Sequence, residues 1–365
     1  MSTEATILNV AAHLPRLAKE QPDVLSVAVA SPGPGGTTRY EEMTASELDR
    51  RSDRIAHALT SVGITRGTRT VLMVKPSPDF FALTFAMLKV GAVPVMVDPG
   101  MGVKNLGTCL AEAEPAAFIG IPKAHIARFV LGWGKATLRT KIMVGPWVPG
   151  TGPTLSKLEA AAPDTPFEPI VPDPEETAAI LFTSGSTGVP KGVVTPHRVF
   201  AAQVTMLREV FGIEPGERDL ATFPLFALFG PALGMASVVP DMDASRPAEA
   251  DPRKLVDTFQ KYACTNMFAS PALIDKLGRH CEAEGIELTG LRRAISAGAP
   301  ASIPAVERFA AALPTGAQVF TPYGATESLP VAGNGSDAKH THTPRGAGTR
   351  GGGCVGKPRA GMEVA

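Results

Sequence analysis

Between residues 40 and 145 short apolar runs alternate with amphipathic stretches, and the same alternation resumes after residue 178. A run buried on both faces belongs in a parallel sheet, and each parallel strand needs a crossover to reach the next. Leu48, Ile55, Leu59 and Val62 mark one helical face, after which Thr70–Val74 reads as a buried strand. Ser77 can cap a helix carrying Phe80, Phe81, Phe85 and Leu88, ahead of a strand at Val93–Val97. The pattern predicts further helices near Lys104–Ala113 and Ala124–Gly132, and strands at Ala116–Ile119 and Lys141–Val144. Later strands are expected at Ala178–Phe182, Thr265–Ala269, Arg293–Ser296 and Gln318–Thr321, with a helix over Phe200–Phe211. The expected class is α/β, with two parallel-sheet subdomains and helices on both faces.

A chain of 365 residues exceeds one ordinary core. Residues 1–150 read as a first α/β subdomain, and 178–332 as a second. Between them, residues 146–174 hold eight prolines, so 151–177 reads as a Pro-rich surface connection. Gly333–Gly353 is polar and rich in Gly, Thr and His, the composition of a mobile loop. Residues 333–365 are therefore expected to be that loop and the start of a truncated third subdomain.

Lys+Arg and Asp+Glu both number 35, which removes any bulk attraction to nucleic acid or an anionic membrane and leaves room for a local basic site. The four cysteines form no CxxC pair, so a zinc ribbon or a disulfide framework is not expected, and a reducing, cytoplasmic setting is. Glu4, Lys19 and Glu20 make a poor signal peptide. Leu220–Pro240 is uncharged and about long enough to span a bilayer. Pro224, Gly230, Pro231 and Gly234 interrupt it, so a buried loop and helix lining an apolar pocket is expected, with no transmembrane segment.

The run Thr183-Ser184-Gly185-Ser186-Thr187-Gly188-Val189-Pro190-Lys191-Gly192 follows one apolar strand and precedes Val193 and Val194. Glycines let backbone approach an anion, hydroxyls and N–H groups donate to phosphate oxygens, and Lys191 adds positive charge. No Gly-Lys-Ser/Thr follows at Walker spacing. The run instead resembles the phosphate loop of the adenylate-forming, AMP-binding superfamily. Lys89–Pro94 with Asp98-Pro99, Ser296-Ala297-Gly298-Ala299-Pro300, Tyr323-Gly324-Ala325-Thr326-Glu327 and Gly353–Pro358 are similar to that family's other blocks, in its order.

The resemblance implies ATP and Mg²⁺ as cofactors and activation of a carboxylic acid as acyl-AMP. It places Gly298, Ala299 and Pro300 against adenine, Tyr323 stacked on it with Gly324 beside, Thr326 on the α-phosphate and Glu327 on Mg²⁺. Lys191 and Thr326 become the catalytic candidates, and the nucleotide site falls in the second subdomain. Phe226, Ala227, Leu228, Phe229 and Gly230 are the candidate acid pocket. Many relatives have histidine where this chain has Ala227, which argues against ordinary CoA transfer. Together with Val74–Phe81, Ile119–Pro122 and Thr326–Val331, that departure narrows the resemblance to the β-lactone synthetases of bacterial long-chain olefin biosynthesis. In those enzymes a 2-alkyl-3-hydroxy fatty acid is adenylated and its own hydroxyl closes the ring. Expected partners are that long-chain β-hydroxy acid and other enzymes of an olefin-forming assembly.

The family's ribose-holding aspartate, hinge and C-terminal lysine are absent from the chain, so adenylation by this segment is expected to be poor. A long-chain acyl-CoA synthetase, a fatty acyl-AMP ligase, a non-catalytic nucleotide- or acyl-binding module and a scaffold subunit are the other readings. Gly346–Gly351 and Gly351–Gly356 match a dinucleotide fingerprint by letter only, because neither follows a clear strand. His340 and His342 read as solvated residues. His197 is expected to be either structural or close to the acid pocket.

Overall fold

The structure, a computed structural model, describes residues 7–97, 101–183, 191–325, 328–333, 335 and 357–358. The chain begins with helix His13–Glu20 (α1), strands Leu25–Pro32 (β1) and Thr38–Thr44 (β2), and helix Ala45–Ser61 (α2). Then come Arg69–Met73 (β3), Pro78–Val90 (α3), Val93–Val97 (β4), Val103–Ala113 (α4), Ala117–Gly120 (β5), Pro122–Leu131 (α5) and Thr140–Met143 (β6). Leu155–Ala161 (α6), Thr177–Thr183 (β7), Lys191–Pro196 (β8) and His197–Phe211 (α7) follow. Next are Arg218–Ala221 (β9), Pro224–Ala227 (α8), Gly230–Leu233 (α9), Ala236–Val239 (β10), Pro252–Tyr262 (α10), Asn266–Ala269 (β11) and Pro271–Glu284 (α11). The last are Arg293–Ser296 (β12), Ile303–Ala310 (α12), Gln318–Phe320 (β13), Tyr323–Ala325 (β14), Ser328–Gly333 (β15) and Lys357–Pro358 (β16).

Two compact units result: residues 1–25 with 43–202, and residues 26–42 with 203–365. In the first, a six-stranded sheet runs β6-β5-β3-β4-β7-β8, parallel except for the β7–β8 pair. In the second, a seven-stranded sheet runs β13-β12-β11-β9-β10-β1-β2, and every pair from β13 to β1 is parallel. In each sheet the order reverses beside the first strand of a crossover series, β3 in one and β9 in the other. Right-handed crossovers then send helices to opposite faces. The α/β class holds.

The subdomain boundaries do not. Ala178–Phe182, expected to open the second subdomain, lies in β7 and pairs with β4 through Val95↔Ile180 and Val97↔Phe182. The second unit begins at residue 203 and takes Ser26–Glu42 from near the start of the chain, where no strand was assigned. Residues 151–177 are also no free connection. Thr154 caps α6, where Glu159 meets Arg51 of α2 at 3.2 Å. His57 bonds the Thr165 carbonyl at 3.1 Å and packs edge-on against Phe167, and the Ile170 N–H donates to the Lys89 carbonyl at 2.9 Å. Side chains of α2 and the backbone of α3 thus hold the proline-rich strap, a pairing that local composition cannot reveal. Of residues 333–365 only 333, 335 and 357–358 are described, with Ala332↔Pro358 and Gly333↔Lys357 paired, so the third-subdomain and mobile-loop expectations lie mostly outside the described residues.

Lys89 is fully buried between α2 and α3. Its ammonium reaches Asp49 Oδ1 at 2.6 Å, the Asp49 carbonyl at 3.2 Å and Asp53 Oδ1 at 2.5 Å, so all three donors are used. Burial holds the Asp53 carboxyl above its ordinary range against the pull of Lys89. Just beyond the helix, Gly91 has φ of +73°, and a Cβ there would lie 2.4 Å from Ile170 of the strap. The Lys-Val-Gly-Ala block is therefore a packing device.

A second buried polar group crosses the other sheet. Asn266 Nδ2 donates to Asp219 Oδ1 at 2.5 Å between paired residues of β11 and β9. Asp219 Oδ2 and Asn266 Oδ1 are both buried without a partner among the described residues. A proton on Asp219 Oδ2 is the donor that this pair lacks, and burial pushes the Asp219 carboxyl up to about 7.

Two outcomes follow. Lys89→Met should leave the buried Asp53 carboxylate and the half-buried Asp49 without their shared cation and lower the unfolding free energy by about 3–5 kcal/mol in urea titration. An unfolded aspartate loses its proton near pH ~3.9, while Asp219 keeps its own to about 7, so its contribution is complete in acid and is lost as pH rises through that value. The urea midpoint should therefore fall between about pH 4 and about pH 7, and that fall should be smaller in Asp219→Asn.

Candidate nucleotide and acid site

In the first unit, β7 and β8 form the antiparallel stem of the phosphate-loop candidate. Thr183 pairs with Lys191 and Phe182 with Gly192, so the ladder pins both ends of the loop. Ser184, Gly185, Ser186, Thr187 and Gly188 lie outside the described residues. Ile180 and Phe182 anchor the stem in a core with Val95, Leu106, Phe118 and Trp133. Gly192 is needed for close packing, since a Cβ would sit 2.8 Å from the Phe182 ring. Lys191 is exposed just beyond the loop.

In the second unit the candidates leave one edge of the sheet. Phe268↔Ala221, Ala269↔Ser296 and Ile295↔Phe320 bring the carboxyl ends of β9, β11, β12 and β13 into line. Phe223–Gly230 leaves β9, Gly298-Ala299-Pro300 leaves β12, and Tyr323-Gly324 follows β13. Ligands of open α/β sheets bind outside this edge, where the strand order reverses, and β9 stands at that reversal. Gly298 has φ of +94° with nothing within 4 Å of a would-be Cβ, so the left-handed backbone conformation, and not close packing, calls for glycine. Ala299 and Pro300 are exposed, and the Tyr323 ring is 53% exposed, leaving an aromatic face open to a planar ligand. Thr326 and Glu327 lie outside the described residues.

The uncharged stretch Leu220–Pro240 folds as the end of β9, two single-turn helices α8 and α9, and β10. Among the described residues no helix is long and apolar enough to cross a membrane. Phe226 stacks on Phe268 with ring centroids 4.3 Å apart, and Phe223 stacks on the same ring at 5.8 Å. Ala227 is buried, and its carbonyl accepts from Ser237 Oγ at 2.6 Å. Thr222 Oγ1 donates to the Phe268 carbonyl at 2.6 Å. Leu228 and Phe229 are half-buried, whereas Gly230 is buried with a would-be Cβ 2.1 Å from Ser237 Oγ.

Thr222, Ser237 and Phe268 fix the segment Phe223–Gly230, and sequence reasoning did not single them out. They meet Ala227 and Phe226 only through the β9–β10 and β9–β11 registers, which leave no local motif. His197 resolves to the structural reading. It is buried where β8 passes into α7, its N–H donates to the Glu176 carbonyl at 2.9 Å, and burial lowers its imidazole below the usual range. His340 and His342 lie outside the described residues.

The first unit thus carries an anchored glycine-rich hairpin, and the second an exposed aromatic residue beyond a left-handed glycine. A family model described as AMP-binding enzyme matches residues 14–365, and the chain belongs to that family. Within it the chain is 49% identical to the olefin β-lactone synthetase of Xanthomonas campestris pv. campestris, over 98% of this chain and 64% of that protein. It is likewise 49% identical to the olefin β-lactone synthetase of Stenotrophomonas maltophilia, with the same two coverages. The chain thus spans 64% of the length of each of these relatives. Its fold is that of the N-terminal domain of FACL13 from Mycobacterium tuberculosis, with a TM-score of 0.75 at 20% identity over 91% of this chain and 80% of that one. A long-chain-fatty-acid-CoA ligase from Archaeoglobus fulgidus gives 0.75 at 22% identity, over 89% of this chain and 66% of that one.

Gly230→Ala should push the Ser237 hydroxyl off the Ala227 carbonyl. The expected cost is about 1–3 kcal/mol of stability, read as a lower urea midpoint, and Gly230→Ala with Ser237→Ala should recover part of it.

Proposed function

We propose that this protein activates a 2-alkyl-3-hydroxy fatty acid with ATP and closes it to a β-lactone. The observation that carries the reading is the pocket segment at the strand-order reversal of the second sheet: apolar, uncharged, and with Ala227 buried where many relatives have histidine. The kinship to two olefin β-lactone synthetases supports it.

An acid carboxylate oxygen attacks the α-phosphorus of ATP, the bond to pyrophosphate breaks, and acyl-AMP forms. The 3-hydroxyl oxygen then attacks the acyl carbon, its proton is lost, and AMP leaves with the bonding pair of the acyl–oxygen bond. Holding that hydroxyl beside the activated carbonyl makes the second step intramolecular, so no thiol acceptor is required. In this reading Tyr323 stacks on adenine with Gly298, Ala299, Pro300 and Gly324 around it. Thr183–Gly188 and Lys191 take phosphate oxygens, and Thr326 takes the α-phosphate. The exposed Tyr323 ring and the open left-handed turn at Gly298 fit a purine. Glu327, a hard carboxylate ligand, would hold Mg²⁺, which would neutralise phosphate charge. Phe226, Ala227, Leu228, Phe229 and Gly230 face the alkyl chains. The setting is cytoplasmic, in agreement with the buried free thiols of Cys109, Cys264 and Cys281. Other enzymes of an olefin-forming assembly are the proposed partners.

The full reading frame should be incubated with ATP, Mg²⁺ and a synthetic 2-alkyl-3-hydroxy acid, without CoA, and the products followed by NMR. A β-lactone forming together with AMP is the expected result. Turnover only on addition of CoA would instead identify an acyl-CoA synthetase. Thr326→Ala should lower kcat by about 10²-fold or more, as loss of a transition-state donor does. Ala227→His should lower lactone yield from the longest alkyl chains first, since an imidazole would take up part of the apolar space.

A further inference from the structure

The chain carries no net charge, yet the 44 residues from Pro115 to Leu158 contain no Asp or Glu. They hold Lys123, Arg128, Lys135, Arg139, Lys141 and Lys157. Within this stretch lies α5, whose first turn leaves the β5 edge and whose exposed face is apolar. Ile126 is 54% exposed, Phe129 80% and Val130 72%, and positions 126, 129 and 130 share one helical face. Lys123, three residues before Ile126, is exposed on the same side. Leu131, 46% exposed, continues the surface into an open groove of about 770 Å³ bordered by Gly107, Ala111 and Trp133. Gly107 lets the Trp133 ring approach closely there, since a Cβ would lie 3.1 Å from Nε1. Near the start of the helix, Gly145 lies beside Pro122 and leads to Trp147, 60% exposed.

Exposed apolar residues occur singly on most soluble proteins. Here five of the nine large hydrophobic residues exposed among the described residues fall within 126–147, inside the longest stretch free of acids. Phe, Val, Ile and Trp set among Lys and Arg is the composition of a helix that lies in a lipid headgroup layer, with cations snorkelling to phosphates. Bulk net charge conceals this because acids elsewhere balance it.

We propose that α5 and the Trp147 loop form a docking face for an anionic bilayer surface. The apolar side chains insert at the acyl boundary, and Lys123, Lys135 and Arg139 meet lipid phosphates. Attachment is peripheral and depends on salt, because several surface cations within a Debye length carry it. The proposal needs no nucleotide and is independent of which acid the protein activates.

The test is co-sedimentation of the full protein, without ATP or acid, with phosphatidylcholine vesicles and with vesicles of equal parts phosphatidylcholine and phosphatidylglycerol. Binding to the mixed vesicles at low salt, and much weaker binding to the neutral ones or at high salt, is expected. Each of Lys123→Gln and Lys135→Gln should weaken binding about fivefold. Phe129→Ser should weaken it about tenfold, with the thermal midpoint unchanged because the ring is exposed. No binding at low salt, or equal binding to both vesicles, would overturn the proposal. So would a concentration-dependent dimer that Phe129→Ser dissolves in the absence of vesicle binding, which would assign the face to a second copy of the chain.

Discussion

A parallel strand has no hairpin route to its neighbour, and this constraint governs the molecule. Each crossover must carry the chain back along the sheet, so every chain exit from the strands opens at one edge. In the second unit that requirement brings Phe223–Gly230, Gly298–Pro300 and Tyr323-Gly324 to the same edge from positions up to a hundred residues apart. In the first it sets the phosphate-loop stem beside β4. The dispersed motifs of the second unit reach one edge because its sheet is parallel.

Sheets covered on both faces leave little room for polar groups, and two of the groups retained meet that constraint differently. Lys89 satisfies all three donors on two aspartates and a carbonyl, joining the helices that cover the first sheet. In the Asp219–Asn266 pair burial pushes the carboxyl up to about 7, and a proton on Asp219 would supply the donor that the amide oxygen lacks.

The pocket segment shows how a local departure acquires meaning. Ala227 in place of histidine is a single letter, consistent with many chemistries. Buried among stacked phenylalanines and tethered through its carbonyl by Ser237, it becomes part of an apolar wall. The balanced net charge conceals segregation in the same manner, since the acid-free stretch around α5 stands out only when exposure is known.

Much was legible before any coordinates. Hydrophobic period placed β4 and β12 at their observed ends and most other strands and helices within a few residues. The glycine-rich run after an apolar strand marked the phosphate-loop stem, because local conformational needs are written in local residues. The subdomain boundaries were not legible. β1 and β2 join a sheet whose other strands lie some two hundred residues away, and β7 returns to the first sheet across the proline-rich strap. The part of Thr222, Ser237 and Phe268 in fixing Phe223–Gly230 was likewise invisible. Sequence by itself determined the α/β class and the AMP-binding kinship, since each rests on short-range pattern. The tertiary structure alone decided which strands pair, what holds Ala227 and which apolar side chains stay in water. Those depend on register and burial between distant segments, which no local window of residues encodes.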